Sequence, residues 1–190
     1  MPKKAKILIT GCAGFIGMHT CKKLLEKGHE VYGIDNLNNY YNAQLKKDRL
    51  GLLEKFEKFK FNKVDILNYD ELKLSFFRFK PERVVHLAAQ AGVRYSLKNP
   101  QAYISTNING FMNVLECVKE NNCEGLIYAS SSSVYGSNDK TPSSVTDSIN
   151  NPISIYAVTK IANELMAKTY SHLYGIHTTG LRFFTVYGPW

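Results

Sequence analysis

The chain has 190 residues, 44% hydrophobic and 21% charged, with a formal net charge of +8. That length suffices for one well-buried domain and falls short of two full ones. No apolar run approaches the roughly 20 residues that span a bilayer, and the lysines crowded between Lys46 and Lys63 alternate with Leu and Phe, as on a solvated face, which argues for small anionic ligands over nucleic acid.

Met1-Pro2-Lys3-Lys4-Ala5-Lys6 leads into a strand without a signal-peptide core, so a cytoplasmic location is expected. Residues 6–10 form a short apolar run that ends at glycine, the mark of a buried parallel strand. The loop Gly11-Cys12-Ala13-Gly14-Phe15-Ile16-Gly17 follows, then a helical pattern to about Lys27. A second strand over 31–34 closes on Asp35, and an Asn- and Tyr-rich loop runs from Asn36 to Asn42. A helix over 45–53 and a third strand over 59–64 bring the chain to Asp65 and Ile66. A helix over 70–79 is stopped by Pro81. A fourth strand over 83–87 runs through Leu87 into Ala88-Ala89-Gln90-Ala91-Gly92, and after Pro100 one long helix covers about 102–120. A fifth strand over 125–130 opens into the serines 130–133. A polar loop with Pro142 and Pro152 leads to a helix ending near Tyr174-Gly175, and a sixth strand covers 178–184.

Strand and helix alternate throughout, which predicts an α/β fold: one doubly wound parallel sheet of the Rossmann type, with strand order 3-2-1-4-5-6. Such sheets bind ligands beyond the carboxyl ends of their strands, where the glycine loop, Asp35, Asp65, the Ala88 segment, Ser131 and the stretch after Phe184 converge. Cys12, Cys21, Cys117 and Cys123 show no C-x-x-C pair and no zinc spacing, so packing thiols and no metal are expected.

Glycines between a strand and a helix allow a tight turn and close approach of a pyrophosphate to the helix N-terminus. The spacing here is G-x-x-G-x-x-G, a loose match to the generic fingerprint, and a plain glycine turn is the alternative. Asp35, 18 residues past Gly17, can accept both hydroxyls of an adenosine ribose and repels a 2′-phosphate, favouring NAD; its alternative is an Asx-turn. Asp65 is placed to meet adenine or to cap the next helix. Asn107 either reaches the active-site Tyr through water or stabilises a helix bend. His86, in an apolar strand, reads as a satisfied core histidine.

Tyr156 and Lys160 are four apart on one helix, so their side chains leave the same face. An ammonium beside a phenol is expected to lower the phenol's pKa and make it a base near neutrality. Ser131, 25 residues upstream of Tyr156, can hold the oxygen whose proton is removed.

Together these blocks resemble the extended short-chain dehydrogenase/reductase family, and its UDP-glucuronate 4-epimerase members most closely. The resemblance runs through GCAGFIG, DNLNNYYNAQLKKDRL, VVHLAAQAGVRYSLKNP, YASSSSVYG, YAVTKIANELMAKTYSHLYG and TGLRFFTVYGPW. It implies that Gly11, Gly14 and Gly17, with Phe15 and Ile16 between them, cradle the NAD pyrophosphate. Asp35 with Asn36 would hold the ribose, Asp65 and Ile66 would flank adenine, and Leu87, Ala88, Ala89 and Asn107 would complete the cofactor site. Tyr156 would be the base, Lys160 would hold the nicotinamide ribose, and Ser131 would be the catalytic serine. Ser132, Ser133, Arg94 and Thr185 are the expected substrate contacts. Related dehydratases carry acids where Ser132 and Ser133 stand, which argues against dehydration; Thr185 in place of the Asn of galactose-type epimerases favours a uronate.

The implied reaction is 4-epimerisation of a UDP-sugar through a 4-keto intermediate, in a protein expected to pair as a homodimer through the helices after strands four and five. Other NAD-linked nucleotide-sugar epimerases or decarboxylases are the runner-up, and an NAD-binding piece without turnover is the third reading. The resemblance also implies a C-terminal substrate lobe that these residues do not include; the surface it would cover is expected to be apolar.

Overall fold

The computed structural model describes residues 3–138 and 140–190; Met1 and Pro2, read above as the lead-in to the first strand, lie outside them. Strands β1 (Lys6–Thr10), β2 (Glu30–Asp35), β3 (Phe59–Lys63), β4 (Arg83–His86), β5 (Gly125–Ser131) and β6 (Thr178–Phe183) form one sheet in the order 3-2-1-4-5-6. Every neighbouring pair is parallel, the order expected from the alternation of elements.

Period-two alternation in β1 divides the core between two faces. Ile7 and Ile9 pack with Met18, Cys21 and Leu25 of α1 (Phe15–Glu26) and Leu50 and Leu53 of α2 (Ala43–Leu53). Leu8 faces the other way, onto Phe76 of α3 (Tyr69–Phe79) and the cluster of Phe111, Val114 and Leu115. All four cysteines are free and buried, as packing thiols should be. Among the described residues no helix is long and apolar enough to cross a membrane, and no group of three His, Cys, Asp or Glu is placed to hold a metal ion.

Two departures from the expected elements occur between β4 and β5. A short helix, α4 (Val93–Ser96), precedes the long one. The expected single helix is α5 (Pro100–Tyr103), a π-helical segment Ile104–Asn109 and α6 (Gly110–Glu120) in succession. The extra residue of a π-turn tips Asn107 inward. Its Oδ1 accepts from the Gln90 amide at 2.8 Å, and its Nδ2 donates to Gln90 O at 3.0 Å and Thr159 Oγ1 at 3.1 Å. Asn163 Nδ2 donates to the Asn107 carbonyl at 2.6 Å. With its side-chain amide hydrogen-bonded inside the protein, Asn107 stabilises a helix bend and ties the post-β4 segment to α7 (Ile155–Tyr174).

Candidate active site

The carboxyl ends of the strands open into a cavity of about 440 Å³. Its floor is the glycine loop. Gly11 sits at φ +73°, and a Cβ there would stand 2.7 Å from Ala88 N; a Cβ on Gly17 would stand 2.0 Å from Gly11 O. Both positions therefore require glycine. No side chain caps α1, and its first turn holds no acid, so its leading amides and positive dipole end are left for an anion. Gly11, Gly14, Phe15, Ile16 and Gly17 all line the cavity.

At one end of the cavity Asp35 makes both an Asx-turn and a bond to the glycine loop. Its Oδ1 accepts from Leu37 N at 2.8 Å, closing the turn, while Oδ2 accepts from Ala13 N at 3.2 Å. Asn36 and Asp65 line the same end, joined by a 2.9 Å bond from Asn36 Nδ2 to Asp65 Oδ2. The N-cap of α3 is Asn68; Asp65 Oδ1 instead accepts from Leu67 N at 2.9 Å, and Asp65 lines the cavity beside Ile66.

The sequence reading missed this end's positive charge. Lys46, expected on a solvated face, is 5% exposed, and Arg49 on the same helix is 4% exposed. Lys46 Nζ lies 3.8 Å from Asp35 Oδ1 and donates to Asn38 Oδ1 at 2.8 Å; burial lowers its pKa and Asp35 partly restores it. Arg49 donates to Tyr41 Oη at 3.0 Å and to the Trp190 carbonyl. Arg49 Nε and Gln90 Nε2 are buried without a hydrogen-bond partner among the described residues, and both side chains line the cavity. The signal was present: Lys46, Arg49, Leu50 and Leu53 occupy the inward i, i+3, i+4, i+7 stripe of α2. Lys47, Lys55, Lys58, Lys60 and Lys63 do face solvent.

The other end brings together Ser131, Tyr156 and Lys160. Ser154 caps α7 by accepting from Ala157 N at 3.1 Å, which places Tyr156 in the first turn and Lys160 one turn on. Lys160 is 2% exposed and donates to the Ala129 carbonyl at 2.8 Å; burial pushes its pKa down to about 8. Its Nζ stands 5.9 Å from the Tyr156 ring centre. Burial raises the phenol, and the Ser131 hydroxyl pulls it only part of the way back. The expected lowering of Tyr156 by Lys160 is therefore corrected: desolvation dominates, and the ammonium is committed to a backbone carbonyl.

Ser131 ends β5 and accepts at Oγ from both Ser133 N at 3.1 Å and Ser133 Oγ at 3.0 Å. A hydroxyl has two acceptor sites and one proton, so the Ser131 proton is left to point into the cavity. Ser133 thus orients Ser131. Ser132, Ser133, Arg94 and Thr185 stand outside the cavity lining, and Arg94 and Thr185 are exposed. Leu87, Ala88 and Ala89 line it as expected, joined by the unforeseen Gln90 and Thr106. His86 is a core residue, 2.8 Å from Thr10 Oγ1 through Nδ1, with burial pushing its pKa down to about 3. Beyond β6 the chain exposes Phe184 and Tyr187.

Comparison with known proteins follows the same lines. The chain is 62% identical over 185 residues to Protein CapI of Staphylococcus aureus, covering 97% of this chain and 55% of that one. It is 49% identical to UDP-glucuronate 4-epimerase 2 of Arabidopsis thaliana, covering 97% and 42%. Among solved structures, the UDP-glucuronic acid 4-epimerase of Bacillus cereus in complex with UDP-glucuronic acid and NAD superposes with a TM-score of 0.88 at 39% identity, over 97% of this chain and 58% of that one. A UDP-N-acetylglucosamine 4-epimerase of Methanobrevibacter ruminantium follows at 0.85 and 32% identity, over 99% and 57%. The chain thus spans about half the length of the curated relatives it matches. Residues 7–190 match the model of the NAD dependent epimerase/dehydratase family, and the chain belongs to that family.

Proposed function

We propose that the protein is an NAD-dependent UDP-sugar 4-epimerase, with UDP-glucuronate as its substrate. One observation carries the reading: a single cavity holds a glycine cradle and a carboxylate at one end and Ser131, Tyr156 and Lys160 at the other. The residues present fit NAD. The uncapped α1 N-terminus and the Gly11, Gly14 and Gly17 turn receive the pyrophosphate. Asp35, beside Lys46, receives the adenosine ribose, and Asp65 and Ile66 flank the adenine.

When bound, NAD supplies the acceptor and donor of hydride at carbon 4 and emerges unchanged from each cycle. The protein's own part is proton movement and position. Ser131 donates its free proton to the 4-oxygen and holds it against Tyr156. Tyr156 takes the 4-hydroxyl proton and later returns it. A phenol raised by burial is a poor base alone, and the Ser131 hydroxyl, which pulls it part of the way back, is the group of this chain that favours the phenolate. Lys160, held by the Ala129 carbonyl, has two further ammonium protons that would serve the nicotinamide ribose. Exposed Met112 on α6 and Leu165 and Leu173 on α7 support pairing of two copies through those helices.

The support for a uronate is the set of UDP-glucuronate 4-epimerases among the relatives. The test is to incubate the protein with UDP-glucuronate, UDP-glucose and UDP-N-acetylglucosamine and follow the anomeric proton signals. Appearance of the galacto-configured product from UDP-glucuronate is expected; conversion of the neutral sugars alone would overturn the assignment.

A further inference from the structure

Tyr156, Lys160 and Glu164 follow at intervals of four along α7, and each faces a different residue at the end of β5. Tyr156 shares the cavity wall with Ser131, and Lys160 binds the Ala129 carbonyl. The third contact is used by nothing described so far: Ser130 Oγ donates to Glu164 Oε1 at 2.6 Å, and Ser130 is 2% exposed.

Glu164 is itself held. Arg182 of β6 donates Nε to Oε1 at 2.9 Å and Nη2 to Oε2 at 2.8 Å, the two-pronged geometry that fixes a carboxylate in plane. Its third nitrogen donates to Val145 O at 3.2 Å, and its guanidinium lies 5.0 Å from the Tyr135 ring centre. The two charged side chains are only 18% and 16% exposed. Burial alone would push Glu164 up, yet the bonds from Arg182 and Ser130 outweigh it and leave the pKa lowered. One carboxylate therefore joins α7 to β5, to β6, and through Arg182 to the turn after β5 and the loop before α7. Neighbouring strand residues point to opposite faces, so anchoring Ser130 fixes the direction in which Ser131 projects.

We propose that Glu164, oriented by Arg182, is a positioning residue for the reaction: through Ser130 it sets where the Ser131 hydroxyl stands relative to the Tyr156 phenol. The inference rests on the reading of Ser131 and Tyr156 as the reacting pair.

The test reads the phenol directly. The chain is produced with 3-fluorotyrosine, whose phenol ionises at lower pH, and the Tyr156 fluorine signal is assigned among the 12 tyrosines by its loss in Tyr156→Phe. Facing that phenol are Ser131 from β5, Lys160 from its own helix and the Tyr103 ring at 6.0 Å; none is altered. Positioning predicts that Ser130→Ala and Glu164→Gln each lower the Tyr156 ionisation constant about tenfold, because the Ser131 bond to the phenolate is lost, while Ser130→Thr, which keeps the hydroxyl, retains the wild-type value. A constant unchanged within twofold in Ser130→Ala, whatever happens to its melting temperature, overturns the proposal; that variant decides the matter if Glu164→Gln fails to fold. NAD titration of the same samples tests the cofactor reading separately, since the phenol titration needs no NAD.

Discussion

Lys160 and Tyr156 share one face of α7, yet the ammonium stands 5.9 Å from the ring centre and gives its hydrogen bond to the Ala129 carbonyl. The spacing brings the two together, and burial decides what each does. Both are pushed toward their neutral forms, the lysine to about 8 and the phenol above its ordinary value.

Replacing Tyr156 with Phe keeps the ring and its edge contact with Tyr103 and removes the proton acceptor. Turnover should fall by about 10²–10⁴-fold, with NAD affinity within a few-fold of wild type by calorimetry. Loss of NAD binding would show that Tyr156 is a cofactor contact before it is a base.

Lys160 also makes a pH prediction. Its folded pKa, about 8, lies below its ordinary 10.5, so between these values the unfolded chain binds the proton and the folded chain does not. Stability from this group is complete above about pH 10.5 and is lost as the pH falls through about 8, a change of about 3 kcal/mol. Urea unfolding across that window should show the rise with pH in wild type, and Lys160→Met should remove it. An identical slope in both proteins would contradict the assignment.

Asp35 and Lys46 form a pair that is 7% and 6% exposed at the side chains. Asp35→Asn should lower NAD affinity at least tenfold by removing the ribose acceptor. It should also cost about 3 kcal/mol of stability, because Lys46 is left buried without its counter-charge. Adding Lys46→Met should recover most of the stability and none of the NAD affinity. Equal additive losses in the double variant would mean the two do not interact.

Two glycines give opposite outcomes for one substitution. Gly17→Ala places a methyl 2.0 Å from Gly11 O and should cost more than about 3 kcal/mol together with NAD binding. Gly51 lies on α2, where an added Cβ would meet nothing within 4 Å; as alanine it should gain about 0.5–1 kcal/mol. Thermal unfolding of the two variants checks both signs.

How much of this was legible beforehand differs by residue. The sheet order followed from apolar runs alternating with helical periodicity, and strand ends delivered site positions, from Thr10 before the glycine loop to Ser131. Asn107 was ambiguous because a π-turn has no propensity signature; only the packed partners Gln90, Thr159 and Asn163 select it. Lys46 was misread, and Arg49 passed over, because charge was weighed above position on the helix stripe. The bonds from Ser133 to Ser131 were not legible, because a hydroxyl in a serine run gives no hint which neighbour it meets. The raised phenol of Tyr156 depends on desolvation, which sequence spacing does not contain.

The central claim is that the cavity between the glycine loop and Tyr156 is an NAD site. The most direct measurement is calorimetric titration of the chain with NAD, alongside the Asp35→Asn variant. One NAD per chain is expected, with affinity reduced at least tenfold by Asp35→Asn. A folded wild-type chain that takes up no NAD, or one whose affinity Asp35→Asn leaves unchanged, would contradict the claim.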